Sequence, residues 1–130
     1  MKDTGMTATE FTLIRHGQTA ENISGRLQGH FDSVLDETGI LQAKAVAQRL
    51  AGEHFDHIYT SDLQRAVMTA EFIAETLAKP FVSTRELREW HLGKLEQRLT
   101  KELWEEYPEV MNCFKHESGD ITVPGGESRL

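Results

Sequence analysis

The feature that most constrains this chain is an alternation of two kinds of apolar pattern. Three short runs, Phe11-Thr12-Leu13-Ile14, Phe55-Asp56-His57-Ile58-Tyr59-Thr60 and Phe81-Val82-Ser83-Thr84, have the length and composition of strands. Between them lie stretches of helical period. After Thr38-Gly39 the residues Ile40, Ala43, Ala47 and Leu50 fall at three- and four-residue steps, and Gly52 marks a stop. The second stripe is Leu63, Ala66, Val67, Ala70, Ile73, Ala74 and Leu77, ending before Pro80. Ser61-Asp62-Leu63-Gln64 has the form of a capping box, which predicts a helix start at Ser61. Strand, helix, strand, helix, strand is the order of a parallel sheet with right-handed crossovers. The expected class is therefore α/β, a three-layer α/β/α arrangement with a mostly parallel sheet.

The remaining stretches read as connections. Ala20 to Glu37 has scattered glycines and acids and no period, so it is expected to be a loop long enough to be functional. Glu86 to Gln97 also reads as loop, followed by a helix carrying Leu103, Trp104 and Tyr107 that Pro108 should end or bend. Residues 1–10 are polar and rich in small side chains, and are expected to form a loose, flexible tail. With 130 residues, the chain fits one domain with a real core.

Charge and cysteine content narrow the function classes. The chain has 21 Asp+Glu against 14 Lys+Arg, a net −7, which disfavours broad binding to nucleic acid or anionic membranes. Any phosphate site must then be a local cluster of arginines. The single cysteine, Cys113, excludes an internal disulfide framework and a cysteine-based zinc site, and fits a reducing compartment. No window approaches the length of a membrane span and no charged-then-apolar leader opens the chain, so the expected location is cytoplasmic.

The chemistry gathers where the first apolar run meets Arg15-His16-Gly17-Gln18-Thr19. The end of such a run lies at the C-terminal edge of a sheet, where open α/β folds place ligands. An imidazole there can attack phosphorus while a neighbouring guanidinium gathers the phosphoryl oxygens. Gly17 is expected to let the backbone approach closely and turn with positive φ, so that its amide and those after it face an anion. Arg65, in the first turn of the second helix, is placed to close on the same phosphate from another strand end. Glu89, in Leu87-Arg88-Glu89-Trp90, is the general-acid candidate, because an apolar neighbour and a nearby dianion raise a carboxyl pKa; Glu86 and Glu96 are rivals. Asn22, Arg26 and Gln28, with Gly29 closing the same segment, are candidate phosphate or substrate contacts on the long loop. His30, His54, His57, His91 and His116 include no pair at metal-ligand helical spacing, so no metal is expected.

Taken together, these motifs resemble the histidine phosphatase superfamily, the phosphoglycerate mutase-like proteins. The match runs in one order from Phe11 to Ser128. It comprises Leu13-Ile14-Arg15-His16-Gly17-Gln18-Thr19, Asn22, Gly25-Arg26-Leu27-Gln28-Gly29, Leu35 with Thr38-Gly39, and Tyr59-Thr60-Ser61-Asp62-Leu63-Gln64-Arg65-Ala66. Leu87-Arg88-Glu89 with Gly93 and Leu95-Glu96, then Pro124-Gly125-Gly126-Glu127-Ser128, complete it. The resemblance implies metal-independent, cofactor-free phosphoryl transfer through a phosphohistidine on His16. Arg15 and Arg65 would hold the phosphoryl oxygens, Glu89 would be the acid, and Asn22, Gln28 and Gly29 would lie on the substrate side. It is the resemblance that selects Glu89 over its rivals. The implied reaction is hydrolysis of a small phosphorylated metabolite, with a phosphoglycerate mutase-type isomerase and an inactive phosphate-binding remnant as alternatives.

One departure qualifies the match. The family pattern has a second histidine, also followed by glycine at a strand end, well after the Gly-Gly-Glu-Ser segment, and this chain has no histidine after His116. A strand-helix-strand unit of roughly 30 or more residues is absent as well. The expectation is that residues 11–130 are the N-terminal portion of a single domain whose C-terminal part is missing. The incomplete sheet should then expose an edge beside the His16 strand and favour self-association, and activity should be low or absent.

Overall fold

The computed structural model describes residues 7–117 and 119–128. The tail expected over residues 1–10 therefore lies largely outside the described residues, as do Arg129 and Leu130 of the final turn. The order is α1 (Ala20–Ser24), α2 (Glu37–Leu50), β1 (Tyr59–Ser61), α3 (Gln64–Leu77), β2 (Val82–Thr84), two single 3₁₀ turns (Arg85–Leu87 and Gly93–Leu95), α4 (Thr100–Glu106) and α5 (Pro108–His116). β1 and β2 pair in parallel with Tyr59 opposite Val82 and Ser61 opposite Thr84. The α/β class and the parallel crossover through α3 hold.

The first expected strand does not form. Among the described residues nothing pairs with Phe11 to Ile14, and the apolar side chains stand in solvent, Phe11 82 % and Leu13 91 % exposed. A strand exists only as part of a ladder, so an apolar run without a neighbour has nothing to order it.

Helix ends show where local signals misled. α2 opens at Glu37, one residue before its predicted start, and is capped by Asp36, whose Oδ1 accepts the Gly39 N–H at 2.7 Å. Helix α3 does not start at Ser61. That residue ends β1, and the helix opens at Gln64, whose backbone N–H is taken by Asp32 Oδ1 at 2.7 Å. The cap is thus supplied from the long loop, 32 positions away in sequence. Part of that loop is itself helical. Thr19 and Asn22 form a reciprocal cap on α1, which closes at Gly25 in the left-handed conformation. The helix carrying Leu103 and Trp104 ends before Pro108 as expected, at Glu106, and Pro108 takes the first position of α5 after a break at Tyr107.

Two apolar clusters hold these elements. Helices α2 and α3 meet through Ala47, Leu50 and Ile73, with Val46, Phe55, Ile58, Phe72 and Leu77 around them. The small residues Ala43, Ala47, Ala70 and Ala74 let the two helices approach. The second cluster draws Leu92 and Leu95 from the segment that sequence patterning left as loop, Leu103 from α4, Val110 and Met111 from α5, and Val123 from beyond it. Leu95, Leu103 and Val123 have no exposed surface. Each such side chain contributes about 1.5–3 kcal/mol by burial, enough to order a segment with little regular structure.

Candidate functional site

The turn carrying His16 is fixed by contact between glycines. Gly17 packs on the N-terminus of α2 so tightly that a Cβ there would meet the Gly39 carbonyl oxygen at 2.4 Å; a Cβ on Gly39 would meet the Gln18 carbonyl oxygen at 2.1 Å. Close approach, as expected, is what Gly17 supplies. Its φ, however, is not in the left-handed region, so the glycine is required for space and not for conformation.

The expected anion nest of backbone amides is not there. The Gly17 N–H donates to Thr69 Oγ1 at 3.0 Å, Gln18 N–H to Gln42 Oε1 at 2.9 Å, and Thr19 N–H to Asn22 Oδ1 at 2.9 Å. These three bonds tie the turn to α3, α2 and α1 in succession. The donors left to meet an anion are side chains.

The His16 ring is half-buried, and its Nδ1 lies 2.7 Å from the Gly17 carbonyl oxygen. A carbonyl can only accept, so Nδ1 carries the hydrogen and Nε2 keeps its lone pair. Burial holds the His16 pKa below the usual histidine value; the Gly17 bond works against this, the Arg65 and Arg15 charges reinforce it, and Glu89 opposes it. The imidazole thus lies within the fields of both arginines and of Glu89. Arg15 is exposed beside it.

Arg65 is 3 % exposed. Its Nη1 donates to the Phe31 carbonyl at 2.7 Å and, at a longer 3.5 Å, to Ser33 Oγ; Nη2 donates to the Gly29 carbonyl at 2.7 Å. These bonds use three of the five N–H groups of the guanidinium. Burial lowers its pKa, with Glu89 first among the carboxylates opposing the shift, but a guanidinium stays charged in proteins.

The long-loop candidates are used as fasteners. Asn22 is exposed and spends its Oδ1 on the α1 cap. Gln28 Oε1 accepts from Ser33 Oγ and lies 2.9 Å from Thr19 Oγ1. Arg26 Nη1 donates to the Gln97 carbonyl at 2.6 Å and its backbone bridges Leu99. Gly29 has φ +55°, and a Cβ there would lie 2.6 Å from Glu96 Oε1; its carbonyl holds Arg65. Through these bonds the residues form a strap whose Gly29 carbonyl holds Arg65.

Glu89 is exposed, with Oε1 accepting its neighbour's Trp90 N–H at 2.9 Å. Its segment is anchored on both sides. Arg88 makes a two-pronged bond to Asp62, 2.6 Å from Nε and 2.8 Å from Nη2, and this holds the Asp62 carboxyl below its usual pKa. On the other side the Pro124–Ser128 motif lies under it. Lys94 N–H donates to the Pro124 carbonyl, Glu127 N–H to the His91 carbonyl, and Trp90 Nε1–H to the Glu127 carbonyl, each at 2.9 Å. Of the rivals, Glu86 is exposed on the 3₁₀ turn. Glu96 is tied to the His30 and Leu92 amides. Sequence reasoning missed the supporting roles of Thr69 in mid-helix, Asp32 on the long loop and Asp62 beside a helix start, whose only local signal was polarity.

A shallow depression of about 280 Å³ borders His16, walled by Arg15 and Gly17 on one side and Gln42, Ala43 and Val46 of α2 on the other. Arg65 and Glu89 do not line it.

Comparison with known proteins gives the arrangement a context. Residues 11–130 match the family model of the histidine phosphatase superfamily (branch 1). Phosphoglycerate mutase-like protein 4 of Arabidopsis thaliana is 40 % identical over 123 residues, which is 93 % of this chain and 54 % of that protein. The metal-independent phosphoserine phosphatase of the same plant is 42 % identical over 120 residues, 91 % and 50 % of the two chains. Among solved structures, the mycobacterial glucosyl-3-phosphoglycerate phosphatase complexed with VO3 superposes with a TM-score of 0.81 at 34 % identity, covering 88 % of this chain and 56 % of that one. The chain spans about half the length of the relatives it matches.

Proposed function

The chain belongs to the histidine phosphatase superfamily, and from that premise we propose that residues 11–130 are the N-terminal portion of one phosphoryl-transfer domain acting on a small phosphomonoester in the cytoplasm. His16 is the nucleophile, Arg15 and Arg65 hold the phosphoryl oxygens, and Glu89 is the acid. The observation that carries this reading is the Nδ1–H bond to the Gly17 carbonyl, which leaves Nε2 with a lone pair on an imidazole within reach of two cationic side chains.

The Nε2 lone pair attacks phosphorus, the ester P–O bond breaks, and the Glu89 carboxyl gives its proton to the departing oxygen. Glu89, now a carboxylate, takes a proton from water; the hydroxide attacks phosphorus and the P–N bond breaks, returning His16 and inorganic phosphate. Positive charge held at Arg65 before the substrate arrives costs no reorganisation during transfer. Names of relatives support the substrate class: phosphoserine and glucosyl-3-phosphoglycerate are both small phosphomonoesters.

The test is to incubate the chain with acetyl phosphate and a panel of small phosphomonoesters and to follow acid-labile phosphate on His16. Label that forms and passes to water supports the phosphatase reading; label that returns to a phosphoglycerate supports a mutase. A second reading, an inactive phosphate-binding protein, is favoured by the engagement of the amides of residues 17–19 within the turn. Saturable phosphate binding that needs Arg15 and Arg65, with no label on His16, would support it.

A further inference from the structure

Two imidazoles lie against the segment that carries Glu89 and have no part in the chemistry above. His30 follows Gly29 on the strap and His91 comes two residues after Glu89; their rings stack with centroids 4.5 Å apart and planes 19° from parallel. The pair is held from several sides. Glu96 Oε1 accepts the His30 backbone N–H at 2.8 Å and the Leu92 N–H at 3.1 Å, and lies 3.7 Å from His91 Nε2. The His91 backbone N–H donates to Glu127 Oε2 at 2.8 Å.

What this arrangement secures is one bond. His30 Nε2 lies 2.8 Å from the Glu89 carbonyl oxygen, and because a carbonyl only accepts, Nε2 carries the hydrogen. The Glu89 side chain is itself exposed. The reach of an exposed carboxylate is set by the backbone from which it projects. We propose that His30 is a positioning residue for Glu89: through its Nε2–H it fixes the Glu89 carbonyl, and with it the direction in which the carboxylate reaches towards His16.

The proposal rests on the reading of Glu89 as a group that faces His16. The charges that His16 meets are Arg65, Arg15 and Glu89, so the His16 ring reports where the Glu89 carboxylate stands. The experiment is an NMR titration of the His16 imidazole in the intact chain, which requires no turnover. Glu89→Gln removes the carboxylate whose charge raises the His16 midpoint, and should lower it by a resolvable shift. His30→Leu should lower it in the same direction by a measurable part of that shift. His30→Gln, whose side-chain amide can reach the same carbonyl, should restore the wild-type midpoint. The double variant Glu89→Gln/His30→Leu should fall no further than Glu89→Gln alone.

A His16 midpoint unchanged in His30→Leu while Glu89→Gln moves it overturns the positioning role and leaves the reading of Glu89 intact. Additive shifts in the double variant do the same. An unmoved midpoint in Glu89→Gln overturns both. If His30→Leu does not fold, His30→Asn, polar but too short to reach the carbonyl, takes its place with the same expected fall.

Discussion

A histidine is a nucleophile only while one nitrogen is unprotonated and free, and at His16 both conditions come from its immediate neighbours. The Gly17 carbonyl takes Nδ1–H, and burial, then the arginine charges, hold the proton affinity down. The same shift enters folding stability. A histidine whose folded pKa lies below its unfolded value of 6.5 binds fewer protons folded than unfolded, so stability is full above 6.5 and falls as pH drops from there to the lowered folded value. Thermal melts should therefore show a loss between those limits that shrinks in His16→Ala; an unchanged acid-side slope would contradict it. Arg65 makes a second prediction. Lysine cannot satisfy the Gly29 and Phe31 carbonyls together, so Arg65→Lys should cost about 1–3 kcal/mol in denaturant melts and weaken phosphate binding at least tenfold. The sequence pointed to Arg15, His16 and Arg65 because each stands in a short motif at the end of an apolar run. Asn22, Gln28 and Gly29 were read as substrate contacts; that the Asn22 and Gln28 side-chain oxygens and the Gly29 carbonyl also serve a cap, hydroxyl bonds and Arg65 could not be read from polarity alone.

At the scale of elements, the site depends on junctions. α2 meets the nucleophile turn through Gly39, α3 receives its cap from Asp32, and the Glu89 segment hangs between Asp62 and Glu127. Gly39→Ala places a methyl group against the Gln18 backbone and should destabilise the chain by about 1–3 kcal/mol while displacing the His16 ring resonances. A melt and a ring spectrum like the wild type would show that the contact relaxes freely. Helical periodicity located α2 and α3 well, because their stripes are long. Their starts were harder to place. Ser61-Asp62-Leu63-Gln64 imitates a capping box, yet the residue that caps α3 comes from elsewhere in the chain. Thr19 and Asn22 form a true reciprocal cap with asparagine in the place usually taken by Glu or Gln. Nothing periodic announced the second apolar cluster, because Leu92, Leu95, Val110 and Val123 converge from 3₁₀ turns, helix and loop.

At the scale of the whole molecule, the apolar run leading into the site is the least supported part. Phe11, Leu13 and Ile14 are exposed, as are Tyr59 and Val82 of the paired strands. The sequence indicated a strand by composition, but a ladder is a property of two segments, and no partner for the run lies among the described residues. The relatives extend to about twice this length, which agrees with the proposal that the domain has further elements. An exposed apolar run of this kind drives association. Sedimentation should show concentration-dependent oligomers that Leu13→Lys reduces, while a monomer at all concentrations would contradict this.

The central claim is that the His16 ring and the guanidinium groups of Arg15 and Arg65 converge on one tetrahedral anion. Titrating the chain with orthovanadate while observing the His16 imidazole nitrogens tests it most directly. Saturable one-to-one binding is expected to shift the Nε2 resonance and to be lost in both Arg15→Ala and Arg65→Lys. Binding that leaves His16 unshifted, or that survives the loss of either arginine, would contradict it.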